Sequence, residues 1–300
     1  MRAFLLFTVI LISGCMESHR SEERSGGVAA PSTDAMAARA ERLQRLHGWG
    51  VIELRWTDDA GEHLEQGDLE FWIDGPDRLA VRISKLGDTY IWLGMNTQEA
   101  WVFDLSRQPT RLLRESIERL QKSGLDDDPW LTILEMIQLM KVGLGAVPPP
   151  PSEDLVSARM SGDTMATYDW RVAAPDSRSS KRSLRMTVNT IDWQPLAAEI
   201  RDIDGSRGLI LSSPSAKTKR IEIPDVSSLA WPIVSRVIDV QPLEDPGTVA
   251  KFAFEGITAT LQGQPIDRIF DVDILRTAFR PEFEGSILEM SGEESASVGP

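Results

Sequence analysis

Between Gly48 and Leu105 apolar and polar residues alternate in five short segments separated by tight-turn residues, a pattern that restricts this region to an antiparallel meander. Ile52, Leu54 and Trp56 share one face of the first segment, and Glu53 and Arg55 take the other. Leu69, Phe71 and Ile73 repeat the alternation, as do Leu79, Val81 and Ile83; Tyr90 to Leu93 and then Trp101, Phe103 and Leu105 complete it. The stretches Asp58 to Gly61, Asp74 to Asp77 and Gly87-Asp88 are turn chemistry at intervals too short to hold crossover helices, so neighbouring strands pair as hairpins. Five of the nine tryptophans (Trp49, Trp56, Trp72, Trp92 and Trp101) fall here. So aromatic a sheet needs a cover on that face, or a ligand.

At 300 residues, 41% hydrophobic and 26% charged, the chain is long enough for a sizeable core in one or two domains. Its one long apolar run, Ala3 to Ile12 behind Arg2, is too short to span a membrane as a helix and has the shape of a secretory leader. Ile12-Ser13-Gly14-Cys15 follows, and Cys15 is the only cysteine. This tetrad resembles the lipobox of bacterial lipoproteins, with Ile12 where leucine is commonest. The resemblance implies cleavage after Gly14 and acylation of Cys15, which anchors the protein to a membrane without spanning it; each buried methylene contributes about 0.8 kcal/mol. No thiol is then left for a disulfide framework or a nucleophile. The formal net charge of −14 argues against nucleic acid as a partner and against adhesion to anionic lipid through the protein surface itself.

Residues 15–32 are polar and aperiodic, as a tether is. A helix is expected from about Thr33 to Leu46, with Met36, Leu43 and Leu46 on the apolar side and Arg39, Glu41, Arg42 and Arg45 covering the rest. After the meander come a strand within Arg107 to Leu113 and a short helix over Glu115 to Lys122. A helix starting at Asp128-Pro129 and running to about Val142 is apolar nearly all round, so it must be buried on more than one side. Pro148 to Pro151 marks the joint between two halves. The second half reads as strands at Met165 to Val172, Leu184 to Ile191, Leu196 to Ile203, Leu209 to Ser212, Ile221 to Ile223, Val234 to Val240 and Thr248 to Phe254. A last apolar element covers Phe270 to Ala278, and from Glu282 an acidic tail is expected to fray.

Catalytic chemistry finds little to work with. The three histidines (His19, His47 and His63) form no metal-binding spacing, and no nucleophile elbow, phosphate loop or dinucleotide fingerprint is present. Asp58-Asp59 and Asp126 to Asp128 are turn and helix-cap carboxylates. The expectation is a protein that is not an enzyme and uses no cofactor or metal.

The order of elements, together with Gly67-Asp68-Leu69-Glu70-Phe71-Trp72, Arg78-Leu79 and Glu99-Ala100-Trp101-Val102-Phe103-Asp104-Leu105, resembles the bacterial lipoprotein carriers and receptors of the LolA/LolB-like family. The resemblance implies an α+β fold in which a single curved antiparallel sheet, an open half-barrel, wraps around helices and leaves an apolar cavity. The expected divisions are a leader over 1–14, a tether over 15–32, one domain over 33–281 with its halves joined near 143–152, and a tail over 282–300. Trp56, Phe71, Trp92, Trp101, Phe103, Leu134 and Ile137 are the candidates to line the cavity, with acyl chains or lipoproteins as partners. An outer-membrane lipoprotein facing the periplasm is the implied setting. The alternative is a structural or assembly lipoprotein whose cavity is filled by its own side chains.

Overall fold

The computed structural model describes residues 32–58, 61–123, 129–172, 182–202, 207–214, 217–259 and 266–289. The leader, Cys15, nearly all of the tether, and the Asp126 to Asp128 cap lie outside them. Helix α1 (Asp34–Arg42) leads into the expected meander, formed by β1 (Arg45–Asp58), β2 (Gly61–Asp74), β3 (Arg78–Lys85), β4 (Asp88–Met95) and β5 (Glu99–Asp104). Strand β6 (Arg111–Ser116) runs directly into α2 (Ile117–Ser123), and α3 (Pro129–Leu144) follows. The second half supplies β7 (Leu155–Met160), β8 (Met165–Val172), β9 (Arg182–Asn189), β10 (Pro195–Asp202), β11 (Gly208–Ser212), β12 (Thr218–Arg220), β13 (Ile233–Ser235), β14 (Val237–Pro242) and β15 (Val249–Thr258). Helix α4 (Val272–Phe279) and β16 (Phe283–Ser286) close the described chain.

Fourteen strands form one open sheet in the order β16-β6-β5-β4-β3-β2-β1-β15-β14-β11-β10-β9-β8-β7. Every pairing is antiparallel except β16 with β6. The two halves meet where β15 pairs with β1, Phe252 opposite Ile52 and Ala250 opposite Leu54. The α+β class and the single open sheet are therefore as the sequence implied.

Several boundaries differ from expectation, each for a local reason. Helix α1 stops at Arg42 because Arg45 and Leu46 are taken by ladder pairing with Asp74 and Ile73 of β2. Ile221 to Ile223 is not a strand; Ile221 is buried, but pairing with β13 ends at Arg220. The run Val234 to Val240 is broken at Arg236, whose N–H bonds Lys217 O (2.7 Å) while its Nε bonds Phe254 O (3.1 Å), so β13 and β14 belong to different sheets. Strand β7 was not foreseen, since only one face of this edge strand is covered. The segment from Glu282 does not simply fray: β16 pairs with β6 and Ile287 is fully buried.

Strand periodicity gives the sheet two distinct faces. One carries Leu69, Phe71, Ile73, Val81, Leu93, Val102, Phe252 and Ile238 in a single core with the buried residues of α1 and α3. The outer face carries Trp72, Ala80, Trp101, Phe103 and Leu112, which form a second, smaller core with Phe270, Val272 and Leu275.

Candidate functional site

Helix α3 sits on the inner face of the sheet, and its composition explains how. Met136, Ile137, Leu139, Met140 and Leu144 are buried, which leaves few positions for solvent. Gly143 permits the close approach: a Cβ there would lie 2.8 Å from Leu211 Cδ1 and 2.9 Å from Ile238 Cδ1. Phe71 packs edge-on against Phe254, with ring centroids 5.3 Å apart. Around this core the apolar lining continues but opens. Leu54, Ile83, Ile91, Ile133 and Leu134 are only partly buried against it, and Ile83 and Ile91 are directly cross-strand partners. Trp56 lies on the same face as Ile52 and Leu54 and is half-exposed, stacked on His63 at 5.0 Å.

Of the seven lining candidates, Phe71, Leu134 and Ile137 are thus brought together in the inner core, with Trp56 further along the same face. Trp92, Trp101 and Phe103 are not. They point to the outer face, where α4 covers them. Alternation sends Val102 inward and its neighbours Trp101 and Phe103 outward, and the expectation that all seven face α3 is corrected accordingly. On this outer face Trp72 stacks between His47 (5.3 Å) and Trp92 (5.5 Å), and Phe279 of α4 meets Trp92 (5.6 Å) and Phe103 (5.2 Å). His47 Nε2 and Glu70 Oε1 are 2.8 Å apart, and Arg82 pairs with Glu70 while lying over the Trp92 ring at 5.9 Å. This is a cross-strand structural ladder, closed by a helix that the sequence showed only as an apolar stretch. The signal was Asp271, whose carboxylate accepts the N–H groups of Asp273 and Ile274 as an N-cap, followed by Val272, Leu275 and Phe279 at helical spacing.

Helix α3 carries two charged groups into the fold, Glu135 near its middle and Lys141 in its last turn. Glu135 pairs with Arg182 (3.0 Å), which also faces Asp202 (3.4 Å); burial raises the Glu135 carboxyl, and the Arg182 charge opposes that. Lys141, almost wholly buried, donates to the Pro76 carbonyl of the β2–β3 turn, and burial lowers its ammonium to about 8. Among the described residues no group of histidine, cysteine and carboxylate side chains could hold a metal ion, and no helix is long and apolar enough to cross a membrane. Leu86, at the tip of the β3–β4 turn, has φ 56° and is 97% exposed.

No protein-family model and no curated protein matches this sequence. Solved structures do. A DUF1329 family protein from Desulfovibrio piger superposes with TM-score 0.54 at 9% identity, over 81% of this chain and 97% of that one. A domain from Vibrio parahaemolyticus described as outer membrane lipoprotein-sorting gives 0.50 at 10% identity, over 81% and 97%. A LolA superfamily protein from Nitrosomonas europaea gives 0.45 at 14%, over 81% and 99%. The large open antiparallel sheet holding helices on its inner face is a fold this chain shares with the Desulfovibrio piger and Vibrio parahaemolyticus structures.

Proposed function

We propose that the protein is a membrane-anchored envelope lipoprotein that binds acyl chains, free or as part of another lipoprotein, on the inner face of its sheet. The observation that carries this reading is the set of partly exposed apolar residues, Leu54, Ile83, Ile91, Ile133 and Leu134 among them, that pack against the inner-face core of an open sheet. An acyl chain offers no directional chemistry, so its site needs apolar area and shape rather than charged groups or metals. The lipoprotein-sorting description of the Vibrio parahaemolyticus domain supports the same class of ligand. The reading includes no catalysis, and it places the protein on the periplasmic side of an outer membrane through acylated Cys15.

Mature-length chain beginning at residue 15, carrying Cys15→Ser and made without its leader, is expected to bind an environment-sensitive fatty-acid probe in a saturable way that oleate competes. Leu134→Trp fills part of the lining and is expected to weaken that binding about tenfold while the melting temperature is kept. A structural role has its own support in the complete burial of Phe71 and the near-complete burial of Ile137. A folded protein that takes up no probe establishes that second reading. The anchor is tested separately, in cells. Full-length protein is expected to incorporate labelled palmitate and fractionate with membranes, and Cys15→Ser to lose the label; label retained by that variant refutes the anchor.

A further inference from the structure

A second concave site lies beside α1; it shares no lining residue with Leu54, Ile83, Ile91, Ile133 and Leu134, and its chemistry is different. This cleft of about 420 Å³ is lined by Arg39, Arg42, Arg220, Trp193, Leu229 and Trp231 among others. Helical spacing places Arg39 on the buried side of α1 with Met36, Ala40 and Leu43, although it carries a charge. Its guanidinium donates to the carbonyls of Leu144 (3.3 Å), Asp192 (3.3 Å) and Ile233, so it ties α1 to the end of α3, to the β9–β10 turn and to β13. Gly145, with φ +72°, leaves it room: a Cβ there would come within 2.5 Å of Arg39 Nε. Nε itself has no partner. Arg42 and Arg220, both exposed, donate to Ala230 O and Ser228 O at 3.1 Å each.

Carbonyl bonds hold these three guanidiniums in place without neutralising them. Among the described residues none of the three forms an ion pair with a carboxylate. The one acid in the lining is Asp192, whose charge acts on Arg39 and leaves Arg42 and Arg220 without a carboxylate partner. The larger cleft of about 660 Å³ on β7–β10 holds Arg171, Arg185 and Arg201, but there Arg185 pairs with Asp169 and Arg201 with Glu199, which leaves two acids against three arginines. The α1 cleft thus carries three guanidiniums against one carboxylate, a net positive patch on a protein of net charge −14. Its rim is apolar: Leu229 is 89% and Ile191 75% exposed. Trp193, in the lining, is held at φ 59°, a strained conformation for a bulky residue.

We infer that this cleft takes the phosphate of an anionic membrane phospholipid headgroup, one with no cation of its own, with Arg39, Arg42 and Arg220 on the anion and Leu229 and Ile191 dipping into the interfacial region. Cationic side chains behind exposed aliphatic tips are what a headgroup and the first methylenes of its chains require together. A free phosphate has no use for the apolar rim. The inference rests on the anchored reading above, in which the tether from Cys15 joins the fold at α1, the helix that carries Arg39 and Arg42.

The test uses the same mature-length Cys15→Ser chain with phosphatidylcholine vesicles, with and without one third phosphatidylglycerol. Sedimentation with the anionic vesicles is expected, falling about tenfold in the double variant Arg42→Gln/Arg220→Gln and about threefold in Leu229→Ser. Both changes are at exposed positions, so unchanged thermal melts are expected to accompany the loss. Equal binding to neutral vesicles, or variants that bind like the parent, overturns the inference. Binding of inorganic phosphate alone, undiminished in Leu229→Ser and without vesicle association, makes the cleft a free-anion site and overturns the lipid assignment. Probe binding at Leu134 and palmitate labelling at Cys15 are read independently, so failure here and failure of the proposed function are told apart.

Discussion

Replacing Ile137 with aspartate is expected to abolish the cooperative thermal transition. Ile137 is 2% exposed in the middle of α3, inside the core shared by that helix and the inner face of the sheet. A carboxylate there loses its hydration, and the basic groups of the region are already engaged, Lys141 with the Pro76 carbonyl and Arg182 with Glu135 and Asp202. The cost is several kcal/mol, taken from a total stability of about 5–15 kcal/mol. Ile137→Ala provides the scale, because it removes contacts without burying charge and is expected to cost about 2–5 kcal/mol while leaving a folded protein. Circular dichroism melts of the two variants decide the matter. If Ile137→Asp melts like the parent, α3 is not a core element and the single-core description of the inner face is wrong.

The same helix shows how far sequence reasoning reaches. Its burial was legible because an all-apolar helix has no other place to go, and the meander was legible because two-residue periodicity and Asp/Gly turns leave hairpins as the only connection. What was not legible is the side from which each strand is covered. Ala100-Trp101-Val102-Phe103 is an unbroken apolar run, and all four residues are buried. Such a run signals cover on both faces, and reading it as one aromatic surface put Trp92, Trp101 and Phe103 on the wrong side. Charge misled in the opposite sense at Arg39, which hydrophobic pattern assigns to solvent although its spacing from Met36 and Leu43 places it inside. The junction between the halves, β1 with β15, joins segments about two hundred residues apart, and no local propensity encodes it. The partial burial of the inner face is equally non-local: Ile83 and Ile91 come together through a hairpin, but α3 packs mainly on β10, β11 and β14, strands of the other half.

Lys141→Met is expected to stabilise the protein, by about 2–3 kcal/mol at pH 7. The Lys141 side chain is 1% exposed among apolar residues of α3, and although its ammonium reaches the Pro76 carbonyl, burial brings it down from 10.5 to about 8. Asp77 opposes that shift without overcoming it. At about 1.4 kcal/mol per unit, keeping the charge buried costs about 3 kcal/mol, and an apolar side chain of similar length avoids it. The pH dependence carries the sign. Unfolded lysine holds its proton more tightly than folded, so between pH 8 and 10.5 the unfolded chain binds more protons and stability rises with pH. Below pH 8 both states are protonated and the full penalty is present; above 10.5 it is gone. Urea denaturation of both proteins across this range is expected to show the parent gaining on the variant until the difference nearly closes. A variant less stable than the parent at pH 7, with parallel pH profiles, would establish instead that the bond to Pro76 outweighs desolvation and that Lys141 holds α3 to the β2–β3 turn.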